Sequence, residues 1–184
     1  MSLEKGIDSK FNDLKLAIES DRAKWISSQG ANALIVVYPP KEEKNYLDRL
    51  KQDYGNEYII DLSDLFVSLI DKTGIENFKG SYKMYDAERI FNNADADQLD
   101  LFDLIIEEIK KADKLNKMAI IIRAGILFGT DIRNKHILEH SIINKLKRPL
   151  VIFYPGEIEK DYNEKEKVLF LGAQKASDYR GQLI

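Results

Sequence analysis

Cysteine is absent from the 184 residues of this chain. Its absence excludes disulfides, thiolate metal sites and cysteine nucleophiles, and it fits a reducing compartment. Long apolar runs are also missing, because the longest, at residues 33–38 and 118–122, are far shorter than the roughly 20 residues of a membrane helix. The charged, amphipathic start lacks the apolar stretch of a secretory signal. We therefore expect a cytoplasmic protein without a membrane span.

The chain also has little excess of charge of one sign. It contains 28 basic and 31 acidic residues, which give a net charge of -3, and they are spread along the sequence. No overall field attracts DNA or a membrane, so direct nucleic-acid binding is not expected and any such contact would have to be local. No stretch has the composition of a linker, and no internal repeat is visible. Residues 1–184 are therefore predicted to form one domain.

Strand-like and helical patterns alternate along the chain. The β-branched run Ala33–Tyr38 is typical of a strand covered on both faces. Further strands are predicted at residues 58–62, 118–122, 149–153 and 168–171, and the most apolar, 118–122, should be central. Helices are predicted at residues 9–29, 41–54, 64–71 (capped by Ser63) and 97–115, from Thr130 or Asp131 through Leu146, and as short pieces around Ile75 and Ala87. The alternation predicts an α/β fold with a mainly parallel sheet flanked by helices.

The carboxyl ends of the predicted strands are the first places to search for a site, because ligands of open parallel sheets usually bind there. The first strand is followed by Pro39 and Pro40. A P-loop NTPase carries GxxxxGK[ST] at this point, so that successive backbone N–H groups hold phosphate. Proline lacks that N–H group and instead favours the start of a helix. The sequence therefore predicts no classical nucleotide site here.

A second loop follows the most apolar strand and ends at a predicted helix. It contains Gly125 and Gly129 and is flanked by Arg123 and Arg133, so it offers free N–H groups and two cations to an anion. Glycines also serve tight turns, and the apolar residues 126–128 can equally be buried. If they are exposed, they suit a protein interface. We predict partner binding ahead of phosphate binding, with a purely structural turn as the alternative.

The sequence from His136 to His140 matches the HxxEH pattern of inverted zinc metallopeptidases. On a helix, the two imidazoles would share one face, with the Glu139 carboxylate beside them. These are the only two histidines in the chain, and no third ligand is evident. The preferred interpretation is a pair of polar side chains at the edge of an amphipathic helix, and no metal or other cofactor is predicted.

Lys145, Lys147 and Arg148 form a short basic stretch near the end of the helix predicted through Leu146. Cations are favoured at a helix C-terminus by the helix dipole. No aromatic residue is interleaved with them, as binding of a single strand would prefer. We interpret the stretch as a feature of the helix end.

Several segments, taken in order, resemble the BrxB family of bacterial phage-defence (BREX) systems. They are Phe11–Leu14, Ile59–Leu65, Ile120–Leu138 and, most distinctively, Val151–Gly156. The later segments Leu169–Gly172 and Asp178–Arg180 are similar to the family's terminal elements. The resemblance spans nearly the whole chain.

The resemblance implies a Rossmann-like or NTPase-like core that lacks a P-loop. It also implies a small BREX component that works as a non-catalytic adaptor, with an alkaline-phosphatase-like protein and an adenine-specific DNA methyltransferase as partners. Besides the loop at 123–133, its contact residues would be Tyr154, Gly156, Tyr179 and Arg180. A metal- or nucleotide-dependent hydrolase and a DNA-binding accessory protein remain the alternative functions.

Overall fold

The computed structural model of the chain describes residues 3–20, 30–85, 90–91, 100–160, 166–171, 174–175 and 181–184. Helices span Leu3–Glu19 (α1), Glu43–Tyr54 (α2), Leu62–Thr73 (α3), Ile75–Met84 (α4), Leu101–Lys114 (α5) and Asn134–Glu139 (α6). Short 3₁₀ segments lie at Pro40–Glu42, Ala124–Leu127 and Ile143–Lys145. Strands span Ala33–Tyr38 (β1), Tyr58–Asp61 (β2), Ala119–Ile122 (β3), Leu150–Lys160 (β4), Glu166–Phe170 (β5), Gln174–Lys175 (β6) and Gln182–Leu183 (β7).

The main sheet has the order β2-β3-β4-β1-β7, and each neighbouring pair in it is parallel. The second half of β4 leaves this sheet and pairs antiparallel with β5, which in turn pairs antiparallel with β6. The predicted α/β fold with a mainly parallel sheet is therefore confirmed. All four longer parallel strands end at the same edge, which brings the loops after β1, β2 and β3 together with the turn of β4 into the hairpin.

Helices cover both faces of the sheet, as the apolar run of β1 predicts. Ile35 belongs to the core on one side, which also contains Leu69 of α3. Val36, the next residue, belongs to the core on the other side, with Leu14 of α1 and Leu50 of α2. Since successive side chains of a strand point to opposite faces, a strand with no polar position must be covered twice.

The helix predicted from residue 130 or 131 through 146 is wrong in extent. Asp131 has a left-handed φ of 62°, and α6 begins only after Arg133. It ends at Glu139 because His140 has an extended backbone, with ψ of 133°. The apolar periodicity continues beyond this point, but the chain there forms the 3₁₀ turn Ile143–Lys145.

Other helix bounds also differ from the prediction. The first helix begins at Leu3, earlier than predicted, and ends at Glu19, and the rest of the predicted helix, residues 21–29, lies outside the described part. The cap of α3 is Asp61, whose side chain accepts a hydrogen bond from the N–H of Ser63, the predicted cap. Ala87 lies outside the described residues.

The sheet differs from the prediction in its centre and at one end. β3 is internal, but β4 occupies the middle of the strand order. An apolar run indicates burial on both faces, a property that all internal strands share, so it does not identify the central one. β4 continues to Lys160, well past the predicted end at Phe153, and β6 and β7 were not predicted. Among the described residues, no helix is both long and apolar enough to cross a membrane.

Candidate partner-binding site

Two strand ends at the carboxyl edge are joined by an ion pair. Arg123, just after β3, donates a hydrogen bond to Asp61 at the end of β2, with 2.5 Å between Nη1 and Oδ2. The other oxygen of Asp61 accepts the N–H of Ser63 at 3.0 Å. Arg123 has a left-handed φ of 56°, a conformation that costs a non-glycine residue energy. The pair thus fixes both the start of α3 and the direction of the loop after β3.

The loop after β1 is where an NTPase would hold phosphate. Here the Tyr38 hydroxyl donates a hydrogen bond to Glu43 Oε2 at 2.7 Å. Burial raises the pKa of the Tyr38 phenol above its ordinary value, the Glu43 carboxylate adds to the increase, and Arg123 opposes it. Glu43 also lies in the first turn of α2, where an acidic side chain interacts favourably with the helix dipole. The Glu43 carboxylate therefore adds negative charge beside the start of this helix.

The β4–β5 hairpin folds over the same edge and holds the two aromatic rings of Tyr154 and Phe170 in a stack, with centroids 4.8 Å apart. Both residues are buried. The N–H of Leu171 donates to the carbonyl of Pro155 at 3.1 Å. Gly156 pairs with Phe170, and a Cβ at this glycine would lie 2.7 Å from the carbonyl oxygen of Leu169. Glycine is therefore required for the close approach of the two strands.

The loop after β3 packs against this hairpin, so the two predicted segments meet. A Cβ at Gly125 would lie 3.6 Å from Pro155 Cγ and 4.0 Å from Leu171 Cδ2, which are ordinary van der Waals distances. The ring of Phe128 lies 6.3 Å from that of Phe170. Three apolar side chains of the hairpin and of the loop packed against it remain exposed, and we call them the hairpin surface: Phe128 (57%), Ile158 (38%) and Leu171 (38%).

Gly129 and Arg133 lie further along the loop. Gly129 has a φ of 82°, so it serves a turn that other residues adopt with strain. Arg133 is exposed, and its Nη2 lies 4.0 Å from Oδ1 of Asp131. Each arginine predicted to attract an anion therefore has a carboxylate beside it, which weakens the phosphate interpretation relative to the partner interpretation.

A comparison with models of known protein families shows which family the chain belongs to. Residues 58–184 match the model of the family described as BREX protein BrxB. The chain belongs to the BrxB family. It is accordingly a component of a BREX defence system. Neither a search of curated proteins nor a search of solved structures finds a match.

The BrxB match includes the whole hairpin surface, the Asp61–Arg123 pair and every strand after β1. It leaves out α1, β1 and α2, and with them the predicted resemblance at Phe11–Leu14. The part of the chain shared with the family thus contains the hairpin surface, while α1, α2 and one face of β1 contribute to the core on the other side of the sheet.

The histidines of the HxxEH pattern do not share a helical face, because α6 ends between them. His136 Nδ1 accepts the N–H of Arg133, and His140 Nδ1 accepts the N–H of Ile142, each at 3.3 Å. The Glu139 carboxylate lies 3.8 Å from the ammonium of Lys135. Within the described residues, no three histidine or carboxylate side chains are grouped to hold a metal ion.

Several residues of the site were not predicted. In the sequence, Asp61 and Phe170 are each part of an apolar segment predicted to be a strand. Their roles depend on contacts with residues that are distant in sequence. The antiparallel return of β5 is what places Phe170 on Tyr154. Tyr179 and Arg180, also predicted to contact a partner, lie outside the described residues.

Proposed function

We propose that the protein is a non-catalytic adaptor that holds a larger BREX protein at the hairpin surface. The partner is the alkaline-phosphatase-like protein or the adenine-specific methyltransferase of the same system. The proposal depends on one observation: three apolar side chains, including a phenylalanine, are exposed on the β4–β5 hairpin and on the loop that packs against it at the carboxyl edge of the sheet.

The composition of the hairpin surface supports a protein partner. Phe128 exposes more than half of its side chain although it lies next to the buried Phe170. Aromatic residues are enriched at the centres of interfaces, and a few of them supply most of the binding energy. The stacked Tyr154 and Phe170 form a base that keeps the surface in place, so binding would cost little conformational entropy.

The charges at this edge support a non-catalytic role. The carboxylate of Asp61 is bound by Arg123 and by the start of α3, and Glu43 is bound by Tyr38. A general acid or base must be within reach of a substrate proton and free to exchange it. These groups instead bind one another and fix the ends of neighbouring elements.

The proposal is tested by co-purification. The tagged protein is expressed from its operon with the other BREX genes, and the retained proteins are quantified for wild type and for the double variant Phe128→Ser/Leu171→Asn. Asparagine is chosen because Leu171 has a left-handed φ of 50°, which asparagine tolerates. We expect the amount of retained partner to fall at least about tenfold, as on removal of an interface hot spot.

A control changes two more exposed apolar residues elsewhere, Leu16→Ser and Met84→Ser, which are 66% and 75% exposed. It should retain the partner fully. Retention by the hairpin variant, or equal loss in both variants, would contradict the assignment to this surface. A separate variant, Tyr179→Ala/Arg180→Ala, tests whether the predicted terminal residues contribute to the same interface.

A further inference from the structure

A group of exposed lysines lies at the opposite, amino edge of the sheet. Residues 110–117 and 145–148 together contain seven lysines and arginines but one carboxylate. Two of the cations, Lys111 and Arg148, form ion pairs. The other five are exposed, and among the described residues none of them is in an ion pair, so we call them the basic surface: Lys110, Lys114, Lys117, Lys145 and Lys147.

The fold joins the two stretches through the single carboxylate. The backbone N–H of Lys147 donates to Oδ1 of Asp113 in the last turn of α5, at 2.9 Å. Arg148 donates from Nη1 to both oxygens of Glu57, at 2.7 and 2.9 Å. The buried Asn32 donates from Nδ2 to the carbonyl of Leu146 at 3.0 Å. The lysines of the second stretch are therefore presented by a firmly held loop.

The helix dipole does not account for this surface. It favours cations within the last turn of a helix, which explains Lys111 and Lys114 in α5. Lys117 lies in the turn before β3, and Lys145 and Lys147 follow α6 without being in an α-helix. The interpretation of the basic stretch as the end of a long helix, which the sequence favours, is therefore wrong, since that helix ends at Glu139.

We propose that the basic surface binds the phosphate backbone of duplex nucleic acid without reading its sequence. This inference goes beyond the adaptor role and uses the opposite edge of the sheet. Lysine is depleted in protein interfaces, whereas it readily neutralises phosphates as a point charge. Neither of the two stretches contains an aromatic residue on which unpaired bases would stack, so a duplex fits the basic surface better than a single strand.

The net charge of -3 does not oppose such binding. Exposed charges further apart than the screening length, about 8 Å at physiological ionic strength, interact weakly. A phosphate at the basic surface therefore experiences the nearby lysines more than the distant acidic residues, and the nearby carboxylates of Glu57 and Glu108 are paired with Arg148 and Lys111.

The test measures binding of fluorescent 20-base-pair DNA and RNA duplexes of one sequence at several salt concentrations. We expect a dissociation constant of about 10⁻⁴ to 10⁻⁶ M, as for other sequence-independent binding, that weakens steeply with salt. The variant Lys114→Gln/Lys117→Gln/Lys147→Gln should bind at least about tenfold more weakly. The magnitude of its logarithmic salt slope should decrease by roughly 0.9 for each phosphate that the variant no longer neutralises.

The matched control, Lys41→Gln/Lys79→Gln/Lys83→Gln, removes the same charge from exposed positions elsewhere and should bind as wild type does. Comparable binding of DNA and RNA would indicate recognition of the backbone alone, whereas preference for one identifies the duplex form. Absence of binding at low salt, or equal weakening in both triple variants, would overturn the proposal. The proposal would also be overturned if the wild type bound no duplex and the variant Lys114→Gln/Lys117→Gln/Lys147→Gln lost a BREX protein partner.

Discussion

Asp61 and Arg123 end neighbouring strands, and the Asp61 carboxylate binds both the guanidinium of Arg123, at 2.5 Å, and the N–H of Ser63 in the first turn of α3. One side chain therefore performs two tasks at the edge of the site. It caps a helix, and it holds a residue with a left-handed backbone at the start of the loop that carries Phe128.

The capping role of Asp61 can be separated from its charge. Asp61→Ala removes both interactions, and we expect it to lower the free energy of unfolding by about 1–2 kcal/mol, as for loss of a good N-cap. Asp61→Asn keeps a side-chain oxygen for Ser63 and removes only the partly exposed ion pair, worth about 0–1 kcal/mol. Urea denaturation of both variants measures the difference. Equal losses would mean that the pair with Arg123, not the cap, dominates.

The strands of the parallel sheet could be predicted well because a strand that is buried on both faces is a continuous run of apolar residues in the sequence. β1 has the predicted bounds, Ala33–Tyr38, since all six side chains are buried and the one hydroxyl among them, that of Tyr38, is hydrogen-bonded to Glu43. The hairpin could not be predicted in the same way. Pro155 favours a strand end, but its missing N–H is tolerated where β4 passes from the parallel sheet to the antiparallel one.

Gly156 tests how far the hairpin depends on a close approach. In Gly156→Ala the new methyl would lie 2.7 Å from the Leu169 carbonyl oxygen, so the strands must separate. We expect a loss of about 1–3 kcal/mol in unfolding free energy, as for other overpacked sites. Gly80→Ala is the control: this helical glycine has nothing within 4 Å of a new Cβ, and alanine should stabilise α4 by about 0.5–1 kcal/mol. Thermal and urea unfolding should show opposite signs for the two variants.

The long helix predicted through Leu146 failed for a tertiary reason. The side-chain amide of Asn32 donates a hydrogen bond to the carbonyl of Leu146, which is 114 residues away in sequence. The backbone N–H of Asn32 donates to Oδ1 of Asn144. These bonds hold a loop where the apolar spacing alone favours a helix. The candidate site could be predicted only in part for a similar reason. The sequence indicates its segments, but the contacts between them depend on the tertiary fold.

Asn32 should therefore be important for stability. Asn32→Ala leaves the buried Leu146 carbonyl without its donor, and we expect a cost of about 1–3 kcal/mol. Asn45→Ala, at an exposed position of α2, should change stability by less than about 0.5 kcal/mol. Urea denaturation measures both. A loss below that of the control would show that water replaces the Asn32 amide at little cost.

The stability of the fold should depend on pH through His140. Burial lowers the pKa of this imidazole below its ordinary value of 6.5, the charge of Lys110 lowers it further, and Asp103 opposes the shift. The unfolded chain therefore takes up the proton first as the pH falls below about 6.5, so the contribution of the neutral imidazole to stability is complete above that pH and is lost below it.

The variant His140→Asn removes the titrating ring but keeps an acceptor for the N–H of Ile142, which His140 Nδ1 binds at 3.3 Å. Urea denaturation of wild type and variant at pH 8 and pH 5.5 gives the four free energies that are needed. We expect the wild type to lose more stability than the variant on acidification, because only the wild type has an imidazole whose protonation favours the unfolded chain. Parallel losses in the two proteins would show that His140 is not the group responsible, and a larger loss in the variant would mean that protonation of this ring stabilises the fold.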